Sequence, residues 1–170
     1  MSLVMQAGFP LQGGTVYGAE EDLEYKVKAA FMLNFAKFIL WPKNGSSEQV
    51  FRICVLGEDP FGSALSGIEN KTIAGKPIEL IRTFDVLTTG QCQLVYISRS
   101  ERGNLAEIIK TYNRAPILLV SDIETFAGNG GTIELVTQNN RLRFIINLSQ
   151  AKKVGLKINA SLLKLASEVL

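Results

Sequence analysis

The sequence contains no histidine, which removes the commonest general base, the usual partner of a serine or cysteine nucleophile, and the commonest zinc ligand. Cysteine is scarce as well. Cys54 and Cys92 are the only thiols, and two thiolates without histidine do not complete a structural zinc site in one chain, so a metal centre would need mostly carboxylates. No apolar run approaches the roughly 18 residues of a membrane helix, so the chain as given is not expected to span a bilayer. Nor is one charge sign gathered anywhere: Lys plus Arg number 18 against 16 Asp plus Glu. The densest basic stretch, Arg141, Arg143, Lys152, Lys153 and Lys157, is interrupted by apolar residues and reads as solvated strand and helix faces. Nucleic acid is thereby set aside as a partner, because phosphate binding needs a concentrated basic face. Walker, dinucleotide-fingerprint and nucleophile-elbow motifs are all missing, so neither a nucleotide cofactor nor hydrolase chemistry is expected.

What is present is the composition of one packed domain: 170 residues, 46% apolar and 20% charged. Residues 1–19 read as the flexible tail of a trimmed signal peptide, their apolar stretch broken by Gly8, Pro10, Gly13 and Gly14, with Val16 and Gly18 suiting the positions before a cleavage near Ala19. Residues 20–170 read as the domain. Leu23, Val27, Ala30, Phe31, Asn34, Phe35 and Phe38 recur at three- and four-residue spacing and predict a helix with a broad buried face, ended by Trp41-Pro42. Asn44 to Gln49 is a polar loop. Phe51 to Leu56 predicts a buried strand, and Asp59 and Pro60 suit the cap and first residue of a helix over 61–68.

Further strands are predicted at 78–82, 92–97 and 117–120. Ser98 with Glu101, and Ser121 with Glu124, have capping-box spacing for helices over 102–112 and up to Phe126. After a glycine turn at 126–131 come strands at 132–136 and 142–148 joined at Gln138-Asn139-Asn140, a helical turn stopped by Gly155, and a last helix capped by Asn159. Strands separated by helices argue for a three-layer α/β/α domain with a mostly parallel mixed sheet, and the late hairpin adds antiparallel strands.

In such a sheet ligands sit beyond the carboxyl ends of the strands, where the sequence places Glu58, Asp59, Ser98, Arg99, Ser121 and Asp122. Carboxylates there suit Mg²⁺ in a receiver domain, but the strand ending Tyr96-Ile97-Ser98 lacks the aspartate that phosphorylation needs. Gly128-Asn129-Gly130-Gly131 precedes a strand and reads as a tight turn, not a phosphate loop. Trp41, beside Pro42, is weighed as a core lid against a ligand-stacking or interface aromatic. Cys54 lies in the first strand and Cys92 opens the third; they form a staple if those strands are neighbours and two inert buried thiols otherwise.

Several blocks, in order and spacing, resemble the YfiR-like family of bacterial periplasmic regulators from about Glu24 to Ala166. They include Val27-Lys28-Ala29-Ala30-Phe31, Asn34-Phe35-Ala36-Lys37-Phe38, Trp41-Pro42, Ile53-Cys54-Val55-Leu56-Gly57 and Asp59-Pro60-Phe61-Gly62. Cys92, Ser121-Asp122, Phe126-Ala127, Gly130-Gly131, Arg143-Phe144, Ile146-Asn147 and Gly155-Leu156-Lys157-Ile158 come after them. The resemblance implies an exported, non-catalytic regulator that restrains an inner-membrane diguanylate cyclase by binding its periplasmic part, thereby limiting cyclic-di-GMP signalling and biofilm formation. It also implies oxidation of Cys54 and Cys92, since the periplasm permits disulfides. Two departures stand out: the family block often reads Cys-His where this chain has Cys92-Gln93, and a second cysteine pair of some relatives is missing.

The expected function is therefore a periplasmic repressor or signal transmitter. The alternative is a small-molecule sensor domain coupled to a sensor kinase, and a homodimer is left open. No catalytic, cofactor or metal residue is assigned. Trp41, Phe61, Arg143 and Lys157 are the candidates for contact with a partner or ligand.

Overall fold

The computed structural model describes residues 16–42 and 48–170; most of the stretch read as a leader and most of the polar loop lie outside these. A long helix, α1 (Val16–Phe38), runs directly into a two-residue strand, β1 (Ile39–Leu40). Then come β2 (Phe51–Leu56), α2 (Ser66–Glu69), β3 (Thr72–Ile73), β4 (Lys76–Thr83), β5 (Leu94–Ile97), α3 (Leu105–Tyr112) and β6 (Leu118–Ser121). The chain closes with β7 (Ile133–Gln138), β8 (Arg141–Ile146), α4 (Leu148–Lys153), β9 (Lys157–Ile158), α5 (Ala160–Leu165) and β10 (Glu168–Val169).

Eight strands form one sheet in the order β10-β8-β7-β6-β5-β2-β4-β3, parallel from β4 through β7, with antiparallel pairs β7–β8 and β3–β4. The central strands are continuous apolar runs because both faces of the sheet are covered. Alternation divides them. Ile53, Val55, Leu94, Tyr96, Leu118 and Val120 face the layer of α1, α2, α4 and α5, whereas Cys54, Leu56, Val95, Ile97 and Leu119 face α3. The three-layer α/β/α architecture with a late hairpin is the one the sequence pattern led to. Asn139 and Asn140, with φ of 50° and 57°, supply the left-handed pair that a two-residue hairpin turn requires.

The structure departs from expectation at the helices. The face of α1 expected to be buried is the outer one: Leu23 is 62% exposed, Val27 and Phe38 37%, with Ala30 and Asn34 exposed and Phe31 half-buried. Of that series only Phe35 is in the core, alongside Tyr25, Lys28, Ala29, Met32, Leu33, Ala36 and Ile39. α1 carries apolar residues on both its inward and its outward side, so spacing alone could not say which side faces the sheet. It also starts at Val16, inside the stretch read as a leader, and stops at Phe38, before Trp41-Pro42. The cause of that early stop is tertiary: Ile39 and Leu40 pair with Ile158 and Lys157 in a small second sheet.

Neither capping box forms. Ser98 makes no side-chain cap, and a 3₁₀ stretch, Arg99–Asn104, precedes α3. Ser121 Oγ donates to Ile97 O and accepts from Ile123 N–H, and turns replace a helix up to Phe126. Asp59 Oδ1 does accept from Phe61 N–H at 2.8 Å, but it leads into a 3₁₀ turn, Gly62–Leu65, before α2. Asn159 caps α5 through Ser161 N–H, in line with its sequence position. The glycine turn serves packing: a Cβ at Gly131 would collide with the Phe126 ring, which is fully buried.

Candidate functional site

The outward side of α1 leaves Leu23, Val27 and Phe38 exposed. With 3.6 residues per turn, Leu23, Val27, Ala30, Phe31, Asn34 and Phe38 form one stripe. Lys26 and Lys37 border it on one edge and Glu24 on the other, and Glu20, Glu21 and Asp22 lie at its amino-terminal end; all of these side chains are exposed. Phe31 reaches inward far enough to place its ring 5.7 Å from those of Phe35 and Phe144, so the stripe rests on a rigid aromatic bed.

The helix is fixed from beneath by a buried ion pair at the carboxyl ends of β5 and β6. Lys28 is 1% exposed, with Nζ 2.6 Å from Asp122 Oδ2, 2.5 Å from Glu24 Oε1 and 4.3 Å from the centroid of the Tyr25 ring. Arg99 Nη2 reaches Asp122 Oδ2 at 3.1 Å from the solvent side. Two cations and two carboxylates thus neutralise one another, as a low-dielectric site demands. Among the described residues Tyr96 Oη and Asp122 Oδ1 find no hydrogen-bond partner. Burial first, and the Asp122 charge second, raise the Tyr96 phenol far above its ordinary value. The carboxyl-end residues sought as a ligand site are therefore largely engaged in holding the fold; Asp59 likewise accepts from Arg82 Nε at 2.6 Å.

Cys54 and Cys92 are joined by a disulfide between β2 and the segment just before the neighbouring β5, with Cα atoms 6.0 Å apart; the strand expected from Cys92 starts only at Leu94. The segment leading to Cys92 turns sharply at Asp85, whose carboxylate accepts from Leu87 N–H and Thr88 Oγ1, and it exposes Phe84 (73%) and Leu87 (82%). At the amino ends of the strands lies a groove of about 610 Å³, lined chiefly by Ile39, Leu40, Trp41, Phe51 and Ile73, with Lys37 and Lys76 also present.

Residues 25–167 match the YfiR/HmsC-like family. The chain belongs to that family. Two solved structures share its fold at low identity: an ABC domain in complex with L-Trp from Streptococcus pneumonia (12% identity, TM-score 0.59) and a conserved domain protein from Vibrio cholerae (9% identity, TM-score 0.56). The alignments cover 84% and 86% of this chain and 60% of each of those chains. Membership of the YfiR/HmsC-like family supports a periplasmic regulator of diguanylate cyclase signalling at family level.

The candidate contact residues do not converge in this family member. Trp41 is half-buried, its ring edge-on to Phe51 at 5.1 Å and its Nε1 donating to Gln93 O, so it is both a wall of the groove and part of the packing. Gln93 accepts from Arg52 N–H and donates to Glu48, clasping the start of β2. Phe61 is 3% exposed and packs in the core between Tyr25 and Tyr96. Arg143 on β8 is exposed; Lys157, also exposed, pairs with Leu40 next to Trp41. The sequence pattern did not single out Lys28, and it picked out the residues of the α1 stripe only as a face to be buried. Lys28 did carry a signal, as a lysine inside an apolar helical run where burial requires a carboxylate partner.

Proposed function

We propose that this chain is an exported periplasmic repressor that docks on the periplasmic part of an inner-membrane diguanylate cyclase and restrains it, limiting cyclic-di-GMP output and biofilm formation. The observation that supports this reading best is the outward stripe of α1 in a member of the YfiR/HmsC-like family. A stripe of large apolar side chains left in water on a rigid helix marks a surface made for a protein partner. Among the described residues no helix is long and apolar enough to cross a membrane. The test is capture of the periplasmic domains of cyclases and sensor kinases from the same organism by the oxidised chain, repeated after thiol reduction. Specific capture of a cyclase is expected; loss on reduction would give the Cys54–Cys92 bond a regulatory part, and no capture in either state overturns the reading.

A second reading, a small-molecule sensor domain coupled to a sensor kinase, is favoured by the groove beside Trp41. Trp41 is the only tryptophan, so its fluorescence reports directly on occupancy of that groove. A saturable change with a periplasmic metabolite, together with capture of a kinase domain, would support it.

A further inference from the structure

The chemistry of the occupant can be read from the borders of the α1 stripe, an inference that rests on the docking role given above. We infer that the stripe receives an amphipathic helix of the partner, with an apolar seam and acidic side chains along one edge. The stripe runs from Leu23 to Phe38, a length of about 22 Å at the rise of an α-helix, enough for roughly four turns of a second helix. Its cross-section suits a helix. Ala30 is a small exposed position beside Val27 and Asn34, where a large side chain of the partner can seat, and Asn34 is a single polar position that fixes register, as an isolated amide does in helix seams.

The borders select the charge. Lys26 and Lys37 stand on the same edge about 16 Å apart, both exposed, and the salt bridges of the described residues do not include either one. Glu20, Glu21 and Asp22 crowd the amino-terminal end of the stripe, and Glu24 is already paired with Lys28. A matching helix carries acidic residues three turns apart over Lys26 and Lys37, and a basic residue over the acidic end.

The same charges argue against two other occupants. A second copy packed antiparallel about the middle of the stripe, between Ala30 and Phe31, would bring Lys26 within about half a turn of the other copy's Lys37 on the same edge, a like-charge contact. An anionic lipid surface would be repelled by Glu20, Glu21 and Asp22 at the amino-terminal end.

The test measures affinity of the full, oxidised chain for the captured periplasmic cyclase domain by surface plasmon resonance. All substitutions are at exposed positions, and each variant's thermal transition is checked against the parent. Val27→Asp should abolish binding. Lys26→Glu with Lys37→Glu should weaken it at least tenfold at physiological salt, with most of the difference lost near 0.5 M salt. Binding that resists Lys26→Glu/Lys37→Glu, or depends on Phe84 and Leu87 while ignoring Val27→Asp, overturns the inference and leaves the docking role standing. So does co-sedimentation with phosphatidylglycerol vesicles, or a dimer in analytical ultracentrifugation that Val27→Asp dissociates. Failure of the parent chain to bind any cyclase domain sinks the docking role and this inference together.

Discussion

Along α1 the inward side offers Tyr25, Lys28, Ala29, Met32, Phe35 and Ile39, and the outward side Leu23, Val27, Ala30, Phe31, Asn34 and Phe38. Each side is an apolar series with one strongly polar member, and by periodicity the two are nearly interchangeable. The polar member's partner separates them. Lys28 meets Asp122 in the interior and Glu24 at its edge, whereas Asn34 is exposed on the other side of the helix. In a helix this apolar, a buried charge decides orientation, because turning Lys28 outward would leave Asp122 without its ammonium and turning Asn34 inward would bury an amide without a partner.

The most damaging way to disturb this contrast is from the inside. Lys28→Ala leaves the Asp122 carboxylate buried, with Arg99 as its remaining cation, and should cost about 3–5 kcal/mol in urea unfolding. Phe35→Ala, fully inside the core, should cost a similar amount, about 3–5 kcal/mol. The disulfide lies on the opposite face of the sheet. Replacing Cys54 and Cys92 together by alanine should remove about 2–4 kcal/mol, and adding a thiol reductant to the parent should lower its melting temperature to that of the double variant.

A smaller effect should appear in alkali. Burial, ahead of the Asp85 charge, pushes the Tyr112 hydroxyl up to about 12. A folded-state value above the unfolded one of about 10 means that its contribution is fully present below pH 10 and is lost as pH rises towards 12. Tyr112→Phe should flatten part of the decline of melting temperature across that window; an unchanged slope would place the cause elsewhere.

The outer side should give the smallest stability change and the sharpest functional one. Val27→Ser should alter stability by no more than about 0.5 kcal/mol while abolishing capture of the cyclase domain. A large loss of stability there would mean that the two sides of α1 are not separable after all.

The sheet was far more legible in the sequence than the helices around it. Phe51 to Leu56, Leu94 to Ile97 and Leu118 to Ser121 are short runs too apolar for anything but a doubly covered strand, and Asn139-Asn140 between β-rich runs announces a hairpin. β1, β9 and β10 carry no such signal, because two residues of pairing are set by the elements beside them and not by their own pattern. The capping boxes misled for a related reason: Ser121 had a stronger option in the Ile97 carbonyl of the neighbouring strand. The proposed docking stripe stayed hidden because an apolar helix position reads as core until the structure shows nothing packed on it.

The small pairing of β1 with β9 also bears on how the chain reaches its folded state. Ile39 pairs with Ile158, and Lys28 finds Asp122 only 94 residues later. A chain emerging from its amino terminus thus presents α1 long before either anchor exists, with both flanks bare instead of one. Contacts so distant in sequence close slowly, and during that interval the helix is the segment most exposed to unintended association. The outward stripe prolongs that exposure after folding is complete, so supply of the partner should influence how much of the protein survives as well as what it does.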